Sequence, residues 1–161
     1  MRVFYAAGPG DVVQTYRHWR DGRSDSSEVA VTYCEQFFAA CAEGDHEALI
    51  VSSCARRDRI VDGKLTVENR PHRRFGRGLV YHADQFAHAL RLAWRCRRFG
   101  ADLAVVSDVD HAFVFGLPML RTSAVVPSMH CTLWPHGSPP TRKWWRTPGP
   151  MRWLLRDRSF A

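Results

Sequence analysis

Lysine is almost missing from this chain. Of 23 basic residues in 161, only Lys64 and Lys143 are lysines and the other 21 are arginines. Also missing is any apolar run that approaches the roughly 18 residues of a membrane span, so no spanning helix is expected. The five cysteines, Cys34, Cys41, Cys54, Cys96 and Cys131, contain no C-x-x-C pair. An odd, widely spaced set argues against a disulfide scaffold and against a thiolate zinc site, and predicts buried reduced thiols. No Gly-Lys-Ser/Thr triplet occurs, which excludes a P-loop, and no helix-turn-helix, zinc-finger or RNA-binding signature is present, so nucleic acid is not an expected partner. The opening Met1–Gly10 reaches glycine too early for a signal peptide and reads as a strand, which makes the cytoplasm the expected compartment.

What is there fits one globular domain: 45% apolar and 24% charged residues. The net charge of +7 is clustered. Residues 56–78 carry eight basic and three acidic side chains, and residues 140–161 carry six basic side chains against Asp157 alone. Such clusters suit phosphate-bearing partners or an anionic membrane face, while the alternative is a solvated surface. For Arg91, Arg95, Arg97 and Arg98 the spacing suits the outer face of a helix. In the tail, Trp144, Trp145 and Trp153 alternate with cations. That pattern suits a membrane interface, or a loop packed on a missing neighbour.

The apolar pattern alternates between strands and helices. Arg2–Ala7 is a strand ending in the turn Gly8-Pro9-Gly10, and Asp11 can cap a helix from Val12 to about Arg20. Ser27 caps a second helix with Val29, Tyr33, Phe37, Ala40 and Cys41 on one face. Ala48–Cys54 is a continuous apolar strand suited to a parallel sheet. A weaker strand covers Lys64–Glu68, and a helix covers His82–Phe99 with Phe86, Leu90, Ala93 and Arg97 in line. Strands follow at Leu103–Ser107 and from Ser123, with a short helix from Ala112 between them. This order predicts an α/β domain with a mainly parallel sheet, whose ligands bind beyond the carboxyl ends of the strands.

The residues of interest are those that follow strands, Gly8–Asp11, Ser52–Arg57, Ser107–His111 and Ser128–His130, and three constellations lie among them. Gly8-Pro9-Gly10-Asp11 can present backbone N–H groups and a helix N-terminus to an anion, or be a plain strand-to-helix turn. Asp108-Val109-Asp110 has the D-x-D spacing that holds a divalent cation against a nucleotide diphosphate, as in single-domain metal-dependent glycosyltransferases. It also reads as a strand end with Asp110 capping a turn. His130, just beyond a strand, suits proton transfer or a hydrogen bond to a sugar hydroxyl, or is a structural histidine. Asp84 and His88, four apart, read as a surface pair.

Taken in order, M-R-V-F-Y-A-A-G-P-G-D, S-E-V-A-V-T-Y-C-E-Q-F-F, A-L-I-V-S-S and V-V-P-S-M-H-C-T-L-W-P resemble the amino-terminal half of a two-domain (GT-B type) retaining glycosyltransferase of the family 4-like, metal-independent kind. The resemblance covers roughly residues 1–135. It implies a Rossmann-like acceptor-side domain over residues 1–139, with helices on both faces of the sheet. Residues 140–161 form a basic tail that starts the next helix. By the same resemblance, the donor-binding domain with its paired glutamates is expected to lie outside these 161 residues. His130 matches the histidine at the reacting sugar, and Gly8, Gly10 and Asp11 match the loop near the donor diphosphate. The implied co-substrate is a nucleotide sugar, with no other cofactor. The implied partners are a sugar or lipid-linked acceptor, a peripheral membrane contact and a separate donor-domain chain. A non-catalytic accessory domain is the other reading.

Overall fold

The computed structural model describes residues 1–23, 34–71, 78–107 and 124–127. Nine elements follow in order: β1 (Arg2–Pro9), α1 (Val12–Arg20), α2 (Cys34–Glu43), β2 (Glu47–Ser53), β3 (Asp58–Asp62), β4 (Leu65–Arg70), α3 (Leu79–Phe99), β5 (Leu103–Val106) and β6 (Ala124–Pro127). The strands form one sheet in the order β3-β4-β2-β1-β5-β6. All neighbours pair in parallel except β3 with β4. The domain is therefore an α/β fold with a mixed, mostly parallel sheet.

Strand alternation splits the core into two layers. On one face Val3, Tyr5 and Ala7 of β1 join Ala48, Ile50, Leu65 and Val67, and are covered by Val12, Val13 and Tyr16 of α1 and by Cys34, Phe38 and Cys41 of α2. On the other face Phe4, Ala6, Leu49 and Val51 meet Ala89, Leu92 and Cys96 of α3 and Ala104 and Val106 of β5. Burial of each large apolar side chain contributes about 1.5–3 kcal/mol. Helices on both faces explain why β1 and β2 read as unbroken apolar runs rather than alternating ones.

Several expectations are corrected in detail. The inward face of α2 is Cys34, Phe38 and Cys41; Phe37 is only partly buried and Ala40 is exposed, while Val29 and Tyr33 lie outside the described residues. On α3 the inward line is Gln85, His88, Ala89, Leu92, Ala93 and Cys96; of the expected line Ala93 is buried, Leu90 is half-buried and Arg97 faces out. Phe86 is exposed. The expected surface pair is also revised, because His88 is only 8% exposed. Polar Gln85 and His88 on the buried face drew the apolar pattern away from the true one.

The weak strand over Lys64–Glu68 is one arm of a hairpin. Ile60 pairs with Val67 and Asp62 with Leu65 across the two-residue turn Gly63-Lys64. Gly63 adopts a positive φ of 55°, which glycine tolerates in such turns. Strand β3 was the element missed, although Asp62-Gly63 is its turn signal.

Cys34, Cys41 and Cys96 are buried cysteines in no disulfide, as their apolar surroundings predict, and Cys54 is half-buried. Burial pushes the Cys41 thiol up to about 11 and the Cys96 thiol up to about 12. No helix among the described residues is long and apolar enough to cross a membrane.

Candidate functional site at the carboxyl ends of the strands

The turn after β1 is built by backbone geometry. Gly8 has φ 80° and Gly10 φ 149°, both in the region that favours glycine. The β1–β2 register shifts between Ala6 and Gly8, so that Gly8 faces Ser52 and Pro9 faces Ser53. The Gly10 N–H then donates to the Ser53 carbonyl at 3.0 Å. Among the described residues no atom lies within 4 Å of where a Gly10 Cβ would stand, so they leave the turn open above.

Asp11 is the N-cap of α1. Its Oδ1 accepts from the Gln14 N–H at 2.9 Å and from the Asn69 side-chain amide at 2.6 Å. Its carbonyl accepts from the Thr15 N–H and hydroxyl, both at 3.1 Å. Asn69 is almost fully buried, and its Oδ1 accepts from the Ser52 hydroxyl at 2.8 Å and from the Val13 N–H at 3.4 Å. Much of the helix N-terminus is thus occupied by Asp11 and Asn69. Any anion brought here meets the glycine turn rather than a bare set of helix N–H groups.

A second polar group occupies the α3 side of the same strand ends. The Ser53 hydroxyl lies 3.2 Å from His88 Nε2. Gln85, one turn earlier on α3, is 6% exposed, and its Nε2 has no hydrogen-bond partner among the described residues. Deeper on this face Glu68 is 2% exposed and is held by Arg95, whose Nε donates at 2.5 Å, and by Arg70, whose Nε donates at 3.2 Å. Of the four arginines expected on the outer face of α3, Arg91, Arg97 and Arg98 are exposed, whereas Arg95 turns in to Glu68.

The carboxyl end of β5 lies beside β1. Ser107 donates its N–H to the Ala6 carbonyl at 2.9 Å and its hydroxyl to the Tyr5 oxygen at 3.0 Å. The next residues, including Asp108 and Asp110, lie outside the described residues, as do His130, the short helix from Ala112 and the basic tail 140–161. Among the described residues no group of three or more His, Cys, Asp or Glu side chains could hold a metal ion.

At these ends stand Gly8, Gly10 and Asp11 and the strand end Ser52-Ser53, both in segments that the sequence marks, with Asn69, Gln85 and an inward-facing His88, which sequence reasoning did not single out. Two signals pointed to these residues. Gln85 and His88 fall in phase with Ala89, Leu92 and Cys96 on the buried line, and Ser52-Ser53 closes an apolar strand.

Two concavities elsewhere lie at the opposite, amino-terminal ends of the strands. One, of about 690 Å³, is lined by Arg2, Asp45, Glu47, Lys64 and Asp102 among others, and its neighbour of about 310 Å³ by Tyr16, Trp19, Arg20 and Asp62 among others. Their cations are already paired: Arg2 with Glu47, Lys64 with Asp45, and Arg20 with Asp62. The carboxyl ends carry the less committed chemistry.

Comparison with family models, with curated proteins and with solved structures finds no match to this chain.

Proposed function

We propose that this chain is the amino-terminal, acceptor-side domain of a two-domain retaining glycosyltransferase that uses a nucleotide-sugar donor. The observation that carries the reading is the sheet order with its glycine turn. Setting aside the β3 edge, the parallel strands run β4-β2-β1-β5-β6, so the direction of winding reverses between β1 and β5. That reversal leaves a crevice at the carboxyl ends, the usual ligand position in such sheets. Gly8 and Gly10 stand at it, and the described residues leave open space above Gly10. A Rossmann-like half of a GT-B architecture has these parts. Fold alone does not set an activity, so the ordered motif resemblance supplies the reaction class.

In this reading the donor diphosphate leaves against the turn at Gly8 and Gly10, with Asp11 holding the shape of the turn. His130 orients the transferred sugar and stabilises its developing positive charge. The acceptor is a sugar or lipid-linked molecule, and the arginine-rich stretches face it or the membrane that carries it. The chemistry is metal-independent and needs a donor-binding partner domain.

The test is transfer of radiolabelled sugar from a panel of uridine- and guanosine-diphosphate sugars to lipid-linked acceptors. The chain is produced together with the reading frame that follows it. Transfer that falls at least 100-fold in His130→Ala, with the fold intact by circular dichroism, supports the reading. Normal turnover in His130→Ala removes the role of the histidine. A following frame with no second α/β domain, together with no transfer from any donor, overturns the whole reading.

A further inference from the structure

We propose that the α3 side of the carboxyl ends holds a phosphate subsite formed by Gln85, His88, Ser53, Arg56 and Arg57. The first observation is the orphaned amide of Gln85. A buried side-chain N–H group without a partner is costly, because it has given up water for nothing, so such groups are rare unless a ligand completes them. Its Nε2 has two donors and no acceptor capacity, so the missing group is an acceptor oxygen.

The second observation is what stands beside it. Gln85 and His88 are three apart on one helix and so share a face. The Ser53 hydroxyl at 3.2 Å from His88 Nε2 adds another group that can donate. Beyond Ser53 the β2–β3 loop carries Arg56 and Arg57. Both are exposed, and neither makes a hydrogen bond or ion pair among the described residues. Elsewhere Arg2, Arg17, Arg20, Arg23, Arg70 and Arg95 are each committed to a carboxylate. Two uncommitted guanidinium groups on the loop that leaves Ser53 suit the bidentate recognition of phosphate oxygens.

As the place where an acceptor's phosphate sits, the site rests on the glycosyl-transfer reading above. As a phosphate site it does not, because inorganic pyrophosphate binds without any donor domain. Pyrophosphate binding and sugar transfer can therefore fail separately.

The experiment titrates the full chain with inorganic pyrophosphate at low salt, and in parallel with vesicles of phosphatidylglycerol or of phosphatidylcholine. Binding is followed by chemical-shift changes of the His88 ring and by calorimetry. Pyrophosphate binding that shifts the His88 ring supports a free-phosphate ligand, and binding to phosphatidylglycerol vesicles alone supports a lipid headgroup. Gln85→Leu is expected to weaken binding about tenfold while raising the melting temperature, since it removes an unpaired buried amide. Arg56→Ala with Arg57→Ala is expected to weaken binding at least tenfold and flatten its salt dependence without changing the melting temperature. Arg97→Ala, on the exposed part of α3, is the unchanged control. No binding to either probe overturns the site. So does Gln85→Leu that binds normally, or that lowers the melting temperature, because the amide would then have its partner within the fold.

Discussion

The side-chain amide of Asn69 donates to the carboxylate of Asp11 at 2.6 Å across 58 positions of sequence. One end of this link caps α1 through the Gln14 N–H, and the other accepts from the Ser52 hydroxyl at the end of β2. It ties the β1–α1 turn to the carboxyl ends of β2 and β4, and so sets the shape of the glycine turn.

Removal of either residue should therefore loosen the same turn. Asp11→Ala loses a cap worth about 1 kcal/mol. Asn69→Ala strands a buried hydroxyl and part of the cap, at about 1–3 kcal/mol. The double variant should lose less than the sum, with a coupling of at least ~0.5 kcal/mol. Urea unfolding of the four proteins checks this, and strict additivity would show that the two side chains act independently.

Glu68 should be the most sensitive carboxylate among the described residues. Its side chain is 3% exposed between Arg95 and Arg70, whose side chains are 26% and 37% exposed. Glu68→Ala is expected to cost about 3 kcal/mol, the lower end of the range for breaking a buried pair, because both arginines can reach water. Arg95→Ala should cost more than Arg70→Ala, since Arg95 is the more buried partner. Thermal denaturation orders the three variants, and an equal loss for both arginines would contradict this.

Thiol chemistry should separate the cysteines. In a Cys131→Ser background, Cys54 is expected to react with a maleimide in the native protein. Cys34, Cys41 and Cys96 should react only at the rate of unfolding, because they are buried. Mass spectrometry of partially labelled protein reads the order. Native-state labelling of Cys96 ahead of Cys54 would mean that α3 opens more readily than its packing implies.

Alkaline pH should destabilise the fold. Burial raises Cys96 from 9.0 to about 12 and Cys41 from 9.0 to about 11. Tyr16 rises from 10.0 to about 12, chiefly by burial and then through its bond to Asp62. All three groups are raised in the folded state, so the unfolded chain loses its protons first. Stability is full below pH 9 and falls as pH rises from about 9 to 12. Each group contributes a limiting slope of about 1.4 kcal/mol per pH unit. Cys96→Ala should flatten the fall above pH 9 in urea titrations, and an unchanged profile would remove Cys96 as a source.

Nucleotide diphosphate binding should not depend on added manganese in the metal-independent reading. Calorimetry with and without manganese checks this. Manganese-dependent binding lost in Asp110→Ala would instead establish the single-domain, metal-dependent alternative built on Asp108 and Asp110.

The order of most strands and helices was legible in the sequence, because buried strands and capped helices leave local marks. The run Ala48–Val51 declares a strand covered on both faces, Asp11 declares the start of α1, and Gly100, in the left-handed region at φ 70°, ends α3. These depend on neighbours a few residues apart.

Which polar groups meet was decided only by the tertiary structure. Asn69 and Asp11, Ser53 and His88, and Glu68 and Arg95 are joined by sheet order and by the rotation of α3, and no local pattern encodes either. The inward turn of Gln85 and His88 even opposes the hydropathy signal, because packing across the whole helix outweighs two polar positions. The amino acids alone settled an α/β chain with a glycine turn after its first strand. Long-range parallel pairing then settled what stands beside that turn, because parallel strands are joined only through distant crossovers.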